Sequence, residues 1–216
     1  MDGTLTRTNE LIFASFNHVA GKYLGRTLPP HEIVSLFGPP EEGGLRRLLG
    51  RTEVGDAMED LCAFYRREHG ALAGLHPFIR ESLEFLTGRG VRLAVFTGKG
   101  RRTASITLEE LGIRGYFPLV VSGDDVSRHK PHHEGIQRVL AAFGCGPRET
   151  LMVGDSTGDV RAARSAGLRV GAALWDSLQQ EEMLASGADY YFHTGEEMLH
   201  WFRAHAGPAP PEEDAS

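Results

Sequence analysis

Cysteine is scarce in this sequence, and its scarcity excludes a fold held together by disulfide bonds. Cys62 and Cys145 are isolated from each other in a chain of 216 residues. Small secreted domains that depend on disulfides carry closely spaced, paired cysteines. We therefore expect a protein of a reducing compartment, the cytoplasm.

Long apolar runs and an excess of positive charge are also missing. No apolar stretch approaches the roughly 18 residues that cross a bilayer, and we find no signal peptide before the first motif. The net charge of −6 argues against a nucleic-acid or anionic-membrane surface. We expect neither nucleic acid nor membrane as a partner. We also expect the protein to be a monomer or a homodimer.

The composition, 41% hydrophobic and 24% charged, is that of an ordinary globular chain. Its length suits either one domain with a sizeable insertion or two small domains.

Residues 9–76 are predicted to be helical, with no strand among them. Asn9 is placed to cap a helix that runs to about Leu24 and carries an apolar stripe. Further helices are predicted over 31–36, 41–49 and 53–69. Because successive helices without strands do not fit a β-α-β alternation, we interpret residues 9–76 as a helical insertion that closes at the turn 74–77.

From residue 77 onward, strands and helices alternate. Apolar strands are predicted at 91–96, 119–121, 151–153, 169–174 and 189–192, with helices between them. This alternation predicts an α/β fold, a doubly wound parallel sheet, formed by residues 1–8 and 77–206. Residues 207–216 are rich in proline and acid, and we predict a disordered tail there.

Two carboxylates follow the strand at 151–153. Gly154 breaks the strand, Asp155 and Asp159 follow, and Ser156 or Thr157 can cap the next helix. Ligands of open α/β sheets bind at the carboxyl ends of strands, and Mg²⁺ prefers oxygen ligands. The pair therefore predicts a metal site, although a polar loop with an acidic helix start fits the same residues.

Two further strand-end residues suggest phosphate binding. Thr97 ends an apolar strand, and Gly98 to Gly100 then open a helix, whose free backbone N–H groups suit an anion. Lys130 precedes Pro131, which suits the first turn of a helix. The alternatives are an ordinary capping threonine and an exposed surface lysine. The histidines at 129, 132 and 133 lack paired metal-ligand spacing, and we interpret them as a solvated loop.

The chain begins Met1-Asp2-Gly3-Thr4, which supplies a fourth motif. These four motifs, in this order along residues 1–195, closely resemble those of the haloacid dehalogenase-like (HAD) hydrolase superfamily, in particular its phosphoglycolate phosphatase group. The resemblance implies a HAD-like core with a mobile helical cap inserted after the first motif. Phe37-Gly38-Pro39-Pro40 resembles a cap segment of that group, and Arg46 and Arg47 are candidates for contacting an anionic substrate.

The resemblance also implies a role for each motif residue. Asp2 would be the general acid and base, and its backbone carbonyl would bind Mg²⁺ together with Asp155. Asp159 would reach the metal directly, reach it through water, or pair with Lys130. Thr97, Gly98 and Lys130 would bind the transferred phosphoryl group, with Thr97 and Lys130 counted among the catalytic residues.

One residue of the family's first motif does not occur in this sequence. That motif is Asp-x-Asp-Gly-Thr, its first aspartate is the nucleophile, and Met1 stands at the x position. We therefore expect the chain as given to be inactive. We also expect that the reading frame continues upstream, with an apolar strand and then aspartate. Losing four buried apolar side chains of that strand would cost roughly 6–12 kcal/mol, so a chain starting at Met1 should be barely stable.

The function implied by the resemblance is that of a Mg²⁺-dependent phosphatase acting through an aspartyl-phosphate. Its substrate would be a small phosphorylated metabolite such as 2-phosphoglycolate, with pyrophosphate or a sugar phosphate as close substitutes. The main alternative is a non-catalytic binding protein that keeps the fold without the nucleophile. A phosphorylated receiver module fits poorly, because it has no room for the helical insertion and carries its acidic pair early in the chain.

Overall fold

The helical region lies between two short strands that pair with each other. The computed structural model describes residues 1–207, so the predicted tail lies, apart from Gly207, outside the described residues. After β1 (Thr6–Arg7) come α1 (Asn9–Leu24), α2 (Pro30–Ser35), α3 (Glu41–Leu49) and α4 (Gly55–Leu72), and then β2 (Gly74–Leu75). β1 and β2 pair antiparallel, with Thr6 opposite Leu75. The sequence predicted a turn at 74–77 and no strand at either place. It missed both strands because strands of two residues show no periodicity.

The start of α1 also differs from the prediction. Asn9 lies inside the helix, and Thr8 occupies the position before it without capping it through its side chain. The Thr8 hydroxyl instead donates a hydrogen bond of 2.5 Å to Asp2 Oδ1. A tertiary contact therefore takes the side chain that a local capping rule would have used.

α1 to α4 enclose an apolar cluster of their own. Leu11, Val19, Ile33 and Leu45 are fully buried in it, together with Leu61 and Tyr65 of α4. The Tyr65 hydroxyl lies 2.9 Å from the Thr107 hydroxyl, which belongs to the following α/β region. This helical unit, residues 9–72, is called the cap below.

The remaining residues form the alternating α/β region. Its elements are α5 (Ile79–Gly88), β3 (Ala94–Phe96), α6 (Arg101–Glu110), β4 (Leu119–Val121), α7 (Glu134–Phe143), β5 (Leu151–Gly154), α8 (Thr157–Ser165), β6 (Arg169–Ala173), α9 (Gln180–Leu184), β7 (Tyr190–Phe192) and α10 (Gly195–His205). All pairings among β3 to β7 are parallel, which confirms the predicted fold class. No helix within residues 1–207 is both long enough and apolar enough to cross a membrane.

The parallel strands form two sheets rather than a single one. β3 pairs with β4, placing Val95 opposite Val120, whereas β5, β6 and β7 form a separate three-stranded sheet. A cavity of about 540 Å³ lies between the two sheets and is lined by Ala94–Phe96 of β3 and by Leu151–Val153 of β5. The two sheets are therefore separated by this cavity along β3 and β5.

Candidate active site

The loop after β5 holds two carboxylates in a compact turn. Ser156 caps α8: its hydroxyl accepts a 3.2 Å hydrogen bond from the Asp159 backbone N–H and donates a 2.7 Å bond to Asp159 Oδ2. A Cβ atom at Gly154 would lie 2.5 Å from Cβ of Asp159. Only glycine therefore allows the strand end to approach α8 this closely, and Asp159 is left buried at the end of β5.

Lys130 forms an ion pair with Asp159. Its Nζ lies 2.7 Å from Asp159 Oδ1, and both side chains are largely buried. Burial raises the pKa of Asp159, but the charges of Lys130 and of the Met1 amino group, together with hydrogen bonds from Lys130 and Ser156, lower it by more, so the pKa lies below its ordinary value. The predicted position of Pro131 was wrong. It lies in a loop, since α7 begins only at Glu134, and the Lys130–Pro131 peptide bond is cis.

Asp155 contacts the amino-terminal loop and also lies near Asp159. Thr4 donates a 2.6 Å hydrogen bond to Asp155 Oδ1, and Ser177 donates one of 2.6 Å to the Asp155 carbonyl. Burial raises the pKa of Asp155, and the neighbouring negative charge of Asp159 raises it further, to about 6. Asp155 is therefore a carboxylate that would be stabilised by additional positive charge.

The amino-terminal loop folds back on its own first residue. The backbone N–H of Leu5 donates a 2.8 Å hydrogen bond to the Met1 carbonyl, and Gly3 takes the left-handed backbone conformation with φ of 70°. This turn directs Asp2 toward Lys99, whose Nζ lies 3.5 Å from Asp2 Oδ1. Burial raises the pKa of Asp2, but the charges of Lys99 and of the Met1 amino group outweigh it and lower the pKa below its usual range.

Lys99 is a functional candidate that the sequence reasoning missed. Its side chain is only 3% exposed, its Nζ lies 3.5 Å from both Asp2 and Glu41, and it sits over the Tyr65 ring at 4.7 Å. Burial alone would lower the pKa of Lys99, but the nearby negative charges of Asp2 and Glu41 raise it above its ordinary value. A lysine between two glycines directly after a buried strand was the available signal, because such a loop leaves the ammonium little solvent.

Glu41, the first residue of α3, reaches from the cap into the loop after β3. It accepts hydrogen bonds from the Gly100 N–H at 2.7 Å and from the Thr103 hydroxyl at 2.5 Å. This is the amino end of α6, where the sequence predicted an anion site with Thr97 and Gly98. Thr97 is buried, and its hydroxyl accepts from the Lys99 N–H at 3.2 Å. A carboxylate of the cap thus occupies part of the predicted anion site.

Arg46 and Arg47 contact the cap itself in this structure. Arg46 pairs with Glu42 at 2.7 Å and binds the Thr52 carbonyl. Arg47 donates to the carbonyls of Leu36 and Phe37, at the start of the segment 37–40.

The rings of His132 and His133 stack on each other in the loop before α7, with ring centroids 4.4 Å apart.

The two carboxylates after β5 supply the type of donor atom that a divalent metal ion prefers. Asp155 and Asp159 are hard oxygen donors of the type that Mg²⁺ prefers, and the raised pKa of Asp155 shows that positive charge would be accommodated there. Within residues 1–207, however, no three histidine, cysteine, aspartate or glutamate side chains come together as a metal cluster. A complete site would need a further oxygen ligand.

The positive charge of the Met1 amino group acts on three carboxylates. It opposes the burial that raises the pKa values of Asp2, Asp155 and Asp159. The Lys99–Asp2 and Lys130–Asp159 ion pairs and the hydrogen bond from Thr4 to Asp155 connect the amino-terminal loop and the loop of Lys130 with the loops after β3 and β5. These charged side chains form one network at the carboxyl ends of the two strands.

Comparisons with known proteins identify the family of this chain. The family model of haloacid dehalogenase-like hydrolases matches residues 1–173. Pyrophosphatase PpaX of Bacillus velezensis is 32% identical over 201 residues, covering 93% of this chain and 92% of its own. A haloacid dehalogenase-like family hydrolase of Streptococcus pneumoniae is 26% identical, with a TM-score of 0.74 and coverage of 94% and 95%. A predicted phosphoglycolate phosphatase of Haemophilus somnus shares the fold, with a TM-score of 0.77, 23% identity and coverage of 93% and 94%. This chain is a member of the haloacid dehalogenase-like hydrolase family.

Proposed function

We propose that the protein is a Mg²⁺-dependent phosphohydrolase of a small phosphorylated compound, with a carboxylate directly before Met1 as its nucleophile. The observation that carries this proposal is that the amino-terminal loop meets the loop after β5, through the 2.6 Å hydrogen bond from Thr4 to Asp155. We infer that a residue bonded to the Met1 nitrogen would lie near Asp155. An aspartate there would attack phosphorus and form an aspartyl-phosphate, as expected for the family.

Each remaining residue has a role that its contacts support. Asp155, assisted by the Asp2 carbonyl and the added nucleophile, would hold Mg²⁺, which would supply positive charge beside the phosphoryl oxygens. Lys130 pairs with Asp159 at 2.7 Å, so Asp159 serves to orient the lysine, and the ammonium faces the developing anion. Thr97 and Gly98 would bind phosphoryl oxygens. Asp2, held as a carboxylate by Lys99, can accept a proton from water when the intermediate is hydrolysed.

Inorganic pyrophosphate is our first candidate substrate, ahead of 2-phosphoglycolate and sugar phosphates. A relative with 32% identity over nearly its whole length is a pyrophosphatase, whereas the compared phosphoglycolate phosphatase shares only the fold.

The cap also favours a small substrate. A Cβ atom on Gly98 would lie 3.8 Å from the Gly38 carbonyl oxygen, and one on Gly100 would lie 3.5 Å from Pro40. The segment 37–40 therefore lies directly over the loop after β3. A cap in this position would exclude water and bulky substrates from the site.

The test is a screen of phosphorylated compounds with a protein extended upstream by its native codons, assayed with Mg²⁺ and with excess chelator. We expect pyrophosphate to be turned over fastest and all turnover to stop with chelator. Asp155→Asn should abolish the response to Mg²⁺, whereas Asp189→Asn should not, because Asp189 serves the backbone of β6 through a 2.8 Å bond to the Val170 N–H. Undiminished turnover in chelator would contradict the metal assignment. An upstream stop codon, with no start codon between it and Met1, would instead make the non-catalytic alternative the leading one.

A further inference from the structure

Glu41 of the cap is a buried carboxylate that binds the α/β region through both of its oxygen atoms. Its side chain is only 10% exposed. Oε2 accepts a 2.7 Å hydrogen bond from the Gly100 N–H, and Oε1 accepts one of 2.5 Å from the Thr103 hydroxyl. The ammonium of Lys99, a side chain that is 3% exposed, lies 3.5 Å from Oε1. We call the three groups that surround this carboxylate, from Lys99, Gly100 and Thr103, the carboxylate pocket.

The carboxylate pocket has the properties of an anion site. Free N–H groups at the start of a helix attract anions, and a buried ammonium beside them adds a full positive charge. A Cβ atom on Gly100 would lie 2.6 Å from Glu41 Oε2, so a side chain at this position would displace the anion. The next N–H of α6, that of Arg101, is bound at 2.7 Å by Asp124, an exposed residue of the α/β region itself. The Gly100 N–H is bound by the cap instead.

The carboxylate pocket lies next to the residue that is expected to act as acid and base. The Lys99 ammonium lies 3.5 Å from Asp2 Oδ1 and equally far from Glu41 Oε1. Direct hydrogen bonds between charged groups are shorter, about 2.7–2.9 Å, so the ammonium is shared between the two carboxylates. A general acid faces the leaving group of the reaction. The pocket is therefore separated from the leaving-group side of the site only by Lys99.

We propose that Glu41 determines substrate specificity by filling the carboxylate pocket, and thereby excludes substrates that carry a second carboxylate or phosphate remote from the reacting phosphoryl group. This inference rests on the proposed function for the identity of the site. A remote anionic group would have to displace Glu41 from its donors, or add a further negative charge beside a single buried ammonium. Pyrophosphate is not excluded, because its second phosphate is bonded to the reacting one and would lie at Asp2.

The cap has further contacts with α6 that do not involve Glu41. Arg102 of α6 pairs with Glu59 of α4 at 2.7 Å. The Tyr65 hydroxyl lies 2.9 Å from that of Thr107. We therefore expect that removal of the Glu41 carboxylate vacates the pocket and leaves the cap in place.

Acetate is the probe for the vacated pocket, because it has the same heavy atoms that Glu41→Ala removes. In the 216-residue chain with Glu41→Ala, about 100 mM acetate should slow hydrogen exchange at the Gly100 amide by roughly fivefold or more. Acetamide has the same shape without the charge and should leave the exchange rate unchanged. The parent chain and Glu42→Ala should not respond to acetate, since Glu42 pairs with the exposed Arg46 and the pocket stays filled.

The specificity itself is tested by binding to the same 216-residue chain, with calorimetric titrations of a hexose bisphosphate and of the corresponding monophosphate. Glu41→Ala should bind the bisphosphate at least about tenfold more tightly than the parent does, and the monophosphate within about twofold. Glu42→Ala should bind both as the parent does. Should Glu41→Ala fail to fold, Glu41→Gln replaces it. That variant keeps the size of the side chain without its charge, and it should raise the affinity for the bisphosphate about threefold.

Two results would overturn the proposal. One is exchange at Gly100 that acetate does not slow in Glu41→Ala, and the other is an affinity for the bisphosphate that no Glu41 substitution raises. Both measurements concern binding alone. A failure of the proposed function would appear elsewhere, as the absence of phosphatase turnover by the extended protein.

Discussion

The cap and the α/β region differ in how completely their interiors are packed. The cap encloses a cluster in which Leu11, Leu45 and Leu61 are at most 1% exposed. The α/β region has a cavity of about 540 Å³ at its centre. Helices satisfy backbone hydrogen bonds within themselves, whereas a strand depends on its neighbours. The helices of the cap can therefore pack into a continuous core, although the strands of the same chain form two separate sheets.

The largest expected effect tests this difference directly by truncating one leucine in each region. Leu61→Ala in the cap should lower the free energy of unfolding by about 3–5 kcal/mol, since the side chain is surrounded on all sides. Leu83→Ala should cost only about 1–2 kcal/mol, because Leu83 lines the cavity between the two sheets and has fewer packing partners on that side. Urea unfolding, followed by circular dichroism, measures both. Equal losses would mean that the cavity does not weaken the packing of the α/β region.

Lys130→Ala is expected to lower the turnover of the extended protein at least about a hundredfold. The substitution removes a largely buried cation that pairs with Asp159 and faces the developing negative charge. Lys22 is the matched control, because it also pairs with an aspartate, Asp60, but its side chain is 52% exposed. Lys22→Ala should stay within twofold of the parent. Steady-state kinetics checks both variants, and a Lys130→Ala enzyme of parental activity would make Lys130 a structural residue.

Glu41→Gln should loosen the contact between the cap and the loop after β3. The neutral side chain loses its ionic attraction to Lys99 and weakens the hydrogen bond from Gly100. We expect roughly tenfold faster hydrogen exchange at Gly100 and Arg101, together with a changed KM. Glu42→Gln is the control, since Glu42 lies next to Glu41 but pairs with the exposed Arg46. Identical exchange in both variants would show that Glu41 does not hold the cap.

The smallest expected effect is a pH dependence of metal affinity. The pKa of Asp155 is about 6, and a carboxylate must lose its proton to bind Mg²⁺. Affinity should therefore be constant well above pH 6 and fall by up to about tenfold per pH unit below it. Calorimetric titration with Mg²⁺ at pH 5 and pH 8 measures this change. An affinity that is higher at pH 5 would contradict the role given to Asp155.

The sequence predicted well what depends on short segments. The strand at 151–153 and a cap at Ser156 lie close together in the chain, and both occur in the structure. The predicted break at Gly154 was wrong, because Gly154 is the last residue of β5 and pairs with Ala172. The α/β fold followed from the alternation of strands and helices. The predicted roles of Asp2, Thr97, Lys130, Asp155 and Asp159 stay predictions, although the structure brings the charged ones into one network.

The sequence did not predict features that depend on distant partners. Lys99 and Glu41 are far apart in the chain and meet only when the cap packs on α6. Thr8 gives its hydroxyl to Asp2, and β1 exists only because β2 lies beside it. None of these contacts leaves a periodic pattern. The local sequence of β3 and of β5 also does not indicate that the two strands belong to separate sheets, because each has the apolar pattern of a complete strand.

We propose that the site needs one carboxylate directly before Met1 for its activity. The most direct test compares three proteins in the hydrolysis of pyrophosphate and of a chromogenic aryl phosphate with Mg²⁺. The first is the 216-residue chain, and the other two carry an apolar strand followed by aspartate or by asparagine before Met1. We predict turnover only with aspartate, although both extended proteins should unfold at the same, higher temperature. Equal turnover with asparagine, or full activity of the 216-residue chain, would contradict the claim.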